Sequence, residues 1–255
     1  NVVLLGHSGV GKTTLAEAML FEAGEISRRG SVEEGNTVSD YTDLEHERGG
    51  SLFASLEHVS WKDSKINLID TPGLDDFIGE VVSALRVATT AVLVHNARSG
   101  VEVGAELLWE YIETFDTPAI FVINQVDHEK ADFDATLEQA IARFGNKVMP
   151  FQYPLNPGLG FNSIIDALRM VMYYFPNGGG KPEKHPIPAA EKARAEEMHL
   201  IIVEAAAEND ENLMERYFEE GTLSEEELAQ GLRIAIAQRQ IIPVFCTSAN
   251  RDMGS

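Results

Sequence analysis

The eight residues GHSGVGKT, Gly6 to Thr13, constrain this chain more than any other stretch. They fit the pattern G-x-x-x-x-G-K-[ST], in which glycines let the backbone wrap so closely that its N–H groups converge on a phosphate. The Lys12 ammonium would reach the outer phosphates, and the Thr13 hydroxyl would ligate Mg²⁺. With Gly at ~7% per position, the four fixed positions arise by chance in roughly one chain of this length in a hundred. The flanks sharpen the signal. An apolar run, NVVLL, leads into the loop, and a helical pattern, KTTLAEAMLFEAG, leads out of it. The chain therefore starts as a strand–loop–helix unit, which needs a parallel sheet to complete it.

Short β-rich runs alternate with amphipathic segments over the first 150 residues. Strands are predicted at 2–5, 51–59, 65–70, 90–95, 118–124 and 147–152, and helices at 12–23, 79–88, 102–115 and 134–144. That alternation predicts a mostly parallel sheet with helices on both faces. Residues 24–50 are long, polar and Gly-punctuated, and read as a functional loop. After Phe175 the stretch PNGGGKPEKHPIPA reads as a linker or excursion, followed by helical patterns at 189–208, 210–220 and 224–238. TLSEEEL, from Thr222, supplies cap-like hydroxyls and acidic first-turn residues. QIIPVFCTSA then returns to strand character, so the helical block reads as an insertion whose end rejoins the first sheet.

Composition excludes several classes. Of 255 residues, 44% are hydrophobic and 24% charged, which is ordinary for a globular domain able to bury a large core. Cys246 is the only cysteine, so no intrachain disulfide forms and a reducing, cytoplasmic setting is expected. No apolar run approaches the ~18–20 residues of a membrane span. A net charge of −21 argues against broad contact with phosphate backbones and against a sequence-specific nucleic-acid partner. The chain opens on a strand-like run and closes just after another, so it is expected to be part of a longer protein.

Three further motifs lie at predicted strand ends. INLIDTPG ends an apolar strand in Asp70, which can hold Mg²⁺ through water, while the Gly73 N–H can contact a terminal phosphate. FVINQVDH places Asn124 and Asp127 past another strand. The Asp127 carboxylate can accept from the ring N–H and exocyclic amine of guanine, and Asn124 can tie its loop to the phosphate loop. TSA, Thr247 to Ala249, can offer a backbone N–H to the guanine O6. Their order matches the crevice at the carboxyl ends of an open α/β sheet. An ATP site is disfavoured, because Asp127 would face adenine's unprotonated ring nitrogen.

These motifs together resemble the GTP-binding domain of translational GTPases, and most closely the elongation factor G family in a divergent form. FEAGEISRRGSVEEG, EHERGGS, INLIDTPGLDDF and the acidic block VEAAAENDENLMERYFEEGTLSEEELAQGLR all carry the likeness, which covers essentially the whole chain. The block resembles that family's extra subdomain and disfavours elongation factor Tu, which lacks it. Release factor 3 and the ribosomal protection proteins of tetracycline resistance have related domains. The resemblance implies an α/β P-loop NTPase fold over 1–255, with a helical α/β insertion at about 155–240 before the last guanine-binding strand and further domains beyond. It implies GTP/GDP and Mg²⁺ as cofactors, and the ribosome, at its large-subunit GTPase centre, as the partner in tRNA–mRNA translocation or recycling. The nucleotide-binding set is then Gly6, His7, Ser8, Gly9, Val10, Gly11, Lys12, Thr13, Thr14, Asn124, Gln125, Asp127, Thr247, Ser248 and Ala249. Thr13, Ser51 and Asp70 form the metal set, and Lys12 and Gly73 the catalytic one.

Four departures from the family pattern involve five residues. Leu74 stands where the water-positioning His belongs, Gln125 replaces a Lys, Gly50-Ser51 replaces Ile-Thr, and Gly9 replaces Asp. Ser51 keeps a hydroxyl and Gln125 keeps a stem that can pack on the base, but Leu74 can neither donate nor accept a hydrogen bond. Positioning and electrostatics supply most of the catalysis of phosphoryl transfer, so hydrolysis is expected to be impaired and binding retained. The alternatives are a nucleotide-dependent ribosome-binding switch without significant turnover and a ribosomal protection or release factor. His7 is expected to support the loop backbone, Arg48 is a weaker candidate for an in-cis finger, and Glu225–Glu227 reads as a solvated helix start.

Overall fold

The computed structural model describes residues 1–176 and 178–255; Asn177, inside the predicted Pro- and Gly-rich linker, lies outside the described residues. Strands β1 (Val2–Leu5), β2 (Ser55–Trp61), β3 (Ser64–Asp70), β4 (Thr90–Asn96), β5 (Ala119–Asn124), β6 (Val148–Pro150) and β11 (Ile242–Cys246) form one seven-stranded sheet. Its order is β2-β3-β1-β4-β5-β11-β6, and only the β2–β3 hairpin pair is antiparallel. Helices α1 (Lys12–Glu22), α3 (Ile78–Leu85), α4 (Val103–Thr114) and α5 (Phe133–Phe144) provide the crossovers. The α/β P-loop architecture with a mostly parallel sheet is thus the one expected.

Alternation along the strands builds the two cores. Val3 and Leu5 of β1, Leu93 of β4, and Phe121 and Ile123 of β5 point to the face covered by α3, α4 and α5. Leu4, Val94 and Val122, the residues between them, point to the opposite face, where Leu15 and Ala16 of α1 meet them. Each fully buried Leu or Phe contributes about 1.5–3 kcal/mol, so a slip of one residue in register would exchange the two cores at large cost.

Between β6 and β11 the chain builds a second unit. Strands β7 (Gln152–Pro154), β8 (Ser163–Asp166), β9 (Val171–Tyr174) and β10 (Glu183–His185) form an antiparallel sheet, followed by α6 (Lys192–Ala207), α7 (Glu211–Glu220) and α8 (Glu225–Ala237). The three helices have their own core, in which Ile202, Val203 and Ala206 meet Leu213, Leu228 and Leu232. The single strand predicted over 147–152 is in fact two, one in each sheet. Phe151 is the splice: its N–H donates to Val244 of the first sheet and its carbonyl accepts from Ala167 beyond β8. The stretch predicted as linker holds β10, because Glu183–His185 completes the edge of β9.

Two further expectations shift. The loop 24–50 contains a helix, α2 (Asp43–Arg48), started by a capping box between Thr42 and Glu45 and ended by Gly49 in the left-handed conformation. The strand predicted at 51–59 begins only at Ser55, since the N–H groups of Leu52 and Phe53 go to the Glu45 carboxylate instead of a ladder. Among the described residues no helix is long and apolar enough to cross a membrane.

Candidate functional site

The loop GHSGVGKT spans the carboxyl end of β1 and the first turn of α1, as its strand and helix flanks require. Gly11 adopts φ +92°, and a Cβ there would sit 2.5 Å from Asn124 Nδ2, so the loop can pass beneath the Asn124 amide only with glycine. Lys12 is buried, and its ammonium donates to the carbonyls of Gly6 (2.9 Å) and His7 (3.2 Å). Burial lowers its pKa, opposed by the charge of Asp70. Gly73 closes over this ammonium from β3: a Cβ on it would lie 2.5 Å from Lys12 Nζ and 2.6 Å from the Ser8 nitrogen. His7 Nδ1 donates to the Ser8 carbonyl (2.9 Å), a loop-supporting contact.

Thr13, Ser51 and Asp70, from three separate segments, converge. The Thr13 hydroxyl donates to Asp70 Oδ2 (2.6 Å) and accepts from Ser51 Oγ at 3.2 Å. Asp70 Oδ1 is buried without a partner, and burial pushes the carboxyl up to about 7 against the opposing pull of Lys12 and the Thr13 hydrogen bond. Both oxygens of Asp40, which lines the same cavity, are likewise buried and unpartnered, and burial raises its pKa. Two hydroxyls and orphaned carboxylate oxygens make a hard oxygen donor set, and this chemistry fits Mg²⁺.

A cavity of about 370 Å³ lies above the phosphate loop, lined by Ser8, Lys12, Thr13, Arg48, Ser51, Gly73 and Leu74 among others. Leu74, extended and 36% exposed, lines this cavity with a side chain that can neither donate nor accept a hydrogen bond. Arg48 reaches the cavity from the end of α2, its guanidinium 5.4 Å from the ring centroid of Phe77. A ring face so close shares the guanidinium that the in-cis finger reading would send to a phosphate.

A second cavity, of about 700 Å³, continues past Gly11 and Thr14 to Asp127. Asn124 organises its floor. The amide Nδ2 donates to the Val10 carbonyl (2.9 Å), and Oδ1 accepts from the Thr247 hydroxyl (2.9 Å) and the Ala249 N–H (3.0 Å). One side chain thereby ties the phosphate loop to the loop after β11, leaving Asp127 on the cavity wall. Gln125, at φ +61°, spans the gap a longer cation would cross: Nε2 donates to the Gly9 carbonyl (2.9 Å) and Oε1 accepts from Asn96 Nδ2 (3.0 Å). The N–H groups of Thr247, Ser248 and Ala249 donate to Ile123, Met253 and Asn124, and of the three residues only Ala249 lines the cavity.

Several site residues escaped the sequence reading. Glu17 sits buried on α1 among Leu15, Ala16, Ala18 and Leu20, and accepts from the Gly30 N–H (2.8 Å) and the Val38 N–H. A lone carboxylate on an apolar helix face was the available signal. Glu45 gathers Thr42, Leu52 and Phe53, which fixes Ser51 near Thr13. Arg29 carries no local pattern, since its partners lie 220 and more residues away, and the Asp40 carboxylate has no partner in the protein to mark it.

Comparison with known proteins agrees with this geometry. The family described as the elongation factor Tu GTP-binding domain matches residues 1–255. Elongation factor G of Mycoplasma pneumoniae is 35% identical over 257 residues, covering 100% of this chain and 37% of that protein. A Thermus thermophilus protein of known crystal structure superposes with a TM-score of 0.92 at 32% identity, over 99% of this chain and 38% of that one. The chain thus spans little more than a third of either relative's length.

Proposed function

We propose that this chain, which belongs to the family of the elongation factor Tu GTP-binding domain, is the nucleotide-binding domain of an elongation factor G-like translation factor that works on the ribosome in tRNA–mRNA translocation. Membership makes it a GTPase-family domain; the ribosomal role is taken from the relative named elongation factor G. The observation that carries the guanine reading is Asn124, whose single amide links the phosphate loop to the loop after β11 and so sets Asp127 on the base-side cavity.

In this reading the phosphate-loop amides and Lys12 hold the phosphates, Gly73 contacts the terminal one, and Asp127 reads the guanine edge. Thr13, Ser51 and Asp70 would hold Mg²⁺, with Asp40 beside them. The ion supplies charge neutralisation on the phosphate oxygens. What is missing is a group to orient water. Leu74 contributes none, and Arg48, which lines the same cavity, is shared with the Phe77 ring. We infer that the domain binds GTP and GDP well and cleaves GTP slowly, which also favours the reading of a nucleotide-dependent ribosome-binding switch.

Two measurements test this. Titration with GDP and ADP should show strong preference for GDP, and Lys12→Ala should abolish nucleotide binding; equal wild-type affinities for GDP and ADP would defeat the role of Asp127. Single-turnover GTP cleavage by the full-length factor with saturating ribosomes should rise by about 10² or more in Leu74→His, the range of one acid–base or positioning group. A wild-type rate equal to that of the variant would refute impaired hydrolysis.

A further inference from the structure

The segment between α1 and α2 forms one wall of the base-side cavity, and its attachment is of two kinds. Toward α1, Glu17 accepts the N–H groups of Gly30 and Val38, which pins both ends of the stretch 30–38 to the body of the domain. Across the cavity mouth a single side chain does the fastening. The Arg29 guanidinium donates to the carbonyls of Ala249 (2.7 Å) and Asn250 (3.3 Å), and its Nη1 lies 2.8 Å from the Asp252 carboxylate. The side chains of Arg29 and Asp252 are only 17% and 15% exposed, so water screens this pair weakly. The Ala249 peptide is consequently held from both sides, its N–H by Asn124 and its carbonyl by Arg29.

We propose that Arg29 is a positioning residue for the guanine-binding loop and the latch that holds segment 24–38 over the bound base, so that nucleotide leaves when the Arg29–Asp252 contact opens. The inference rests on the guanine-nucleotide reading above. Arg29, Gly30 and Ser31 line the cavity together with Ala249 and Asn250, so the latch joins two segments of its lining that lie 220 residues apart in the chain. Because Glu17 keeps the segment attached to α1 independently, loss of Arg29 frees the cavity side without detaching the loop. A merely structural arginine would lower stability and leave release unchanged, whereas a latch changes release.

The test is the release of a fluorescent methylanthraniloyl-GDP, followed by stopped flow, from wild type, Arg29→Ala, Arg29→Lys and Asp252→Asn, with thermal unfolding of each nucleotide-free protein alongside. Arg29→Ala should speed release about tenfold or more, with association changed by less than about threefold, since mutants of one site vary mainly in dissociation. Its melting temperature should fall as well, because a weakly screened pair is lost, so the release rate and its rescue by lysine are the deciding readouts. Arg29→Lys, which keeps the charge opposite Asp252 but not the forked donors, should fall between. Asp252→Asn should speed release alone and add little in the Arg29→Ala background. Release from Arg29→Ala within about twofold of wild type overturns the latch, as does faster release matched by an equal loss of stability that lysine does not rescue. If Arg29→Ala does not fold, Arg29→Lys and Asp252→Asn decide by the same rates. A wild-type chain that binds neither GDP nor GTP overturns the functional reading and the latch together, whereas normal wild-type binding with unchanged variant release overturns the latch alone.

Discussion

Acidification should weaken this domain through one histidine. His95, on β4 opposite Ile123, is 2% exposed, with its ring edge-on to Phe121 (5.0 Å) and stacked on Phe144 (6.0 Å). Its Nε2 is buried without a partner, and burial pushes the imidazole pKa down to about 4 from 6.5. The unfolded chain takes up a proton near its ordinary pKa, while the folded chain refuses it until about pH 4. Stability from this site is therefore complete above about pH 6.5 and is lost as pH falls toward 4. At 1.36 kcal/mol per pKa unit the full loss is about 3 kcal/mol, of which about 2 kcal/mol has gone by pH 5. Urea unfolding followed by circular dichroism at pH 7 and pH 5, on wild type and His95→Leu, isolates the effect, because other titrating groups are common to both. The wild type should lose about 2 kcal/mol more than the variant between the two pH values. Equal losses, or an imidazole resonance titrating above about pH 6, would refute the reasoning.

Two other perturbations follow from packing and from the neutral amide relay. Gly231 lies inside α8, where a Cβ would meet the Ala206 carbonyl of α6 at 2.3 Å, so Gly231→Ala should destabilise by about 1–3 kcal/mol despite the better helix propensity of alanine, measured as a fall in the urea midpoint. Gln125→Ala and Asn96→Ala should each speed GDP release, and the double variant should show less than their sum, since the two amides act as one chain to Gly9. Strict additivity would separate them.

The parallel sheet and the phosphate loop were legible because their chemistry is local. An apolar strand must precede the loop and a helix must follow, so GHSGVGKT fixes its own surroundings. The aspartate ending INLIDTPG and the asparagine ending FVIN fall at strand ends for the same reason, as hydrophobic burial stops where the crevice begins. Helix α2 was missed although Thr42 and Glu45 stood at capping-box spacing, because the glycines around them argued for loop. Strands β8 and β9 were missed because NSIIDALRMVMYYF is apolar without a period, and such a run suits helix and strand alike. Arg29 had to stay hidden: its partners lie 220 and more residues away, and no local pattern marks a side chain whose role is long-range.

The place of β11 in the sheet bears on how the domain is made. It follows the whole intervening unit in sequence yet is an interior strand, between β5 and β6, and its parallel register sets Ile242 beside Val148. The first sheet is therefore closed only after the whole intervening unit has been synthesised and folded back. Were that unit a random coil, joining its ends would cost about 4 kcal/mol in loop entropy; folding first around its own core brings those ends together and removes most of that barrier. The loop after β11 carries Thr247 and Ala249, so the partners of Asn124 arrive only after the intervening unit. On a nascent chain, competence to hold nucleotide on the base side would thus appear abruptly and late, as a signal that the insertion has already folded.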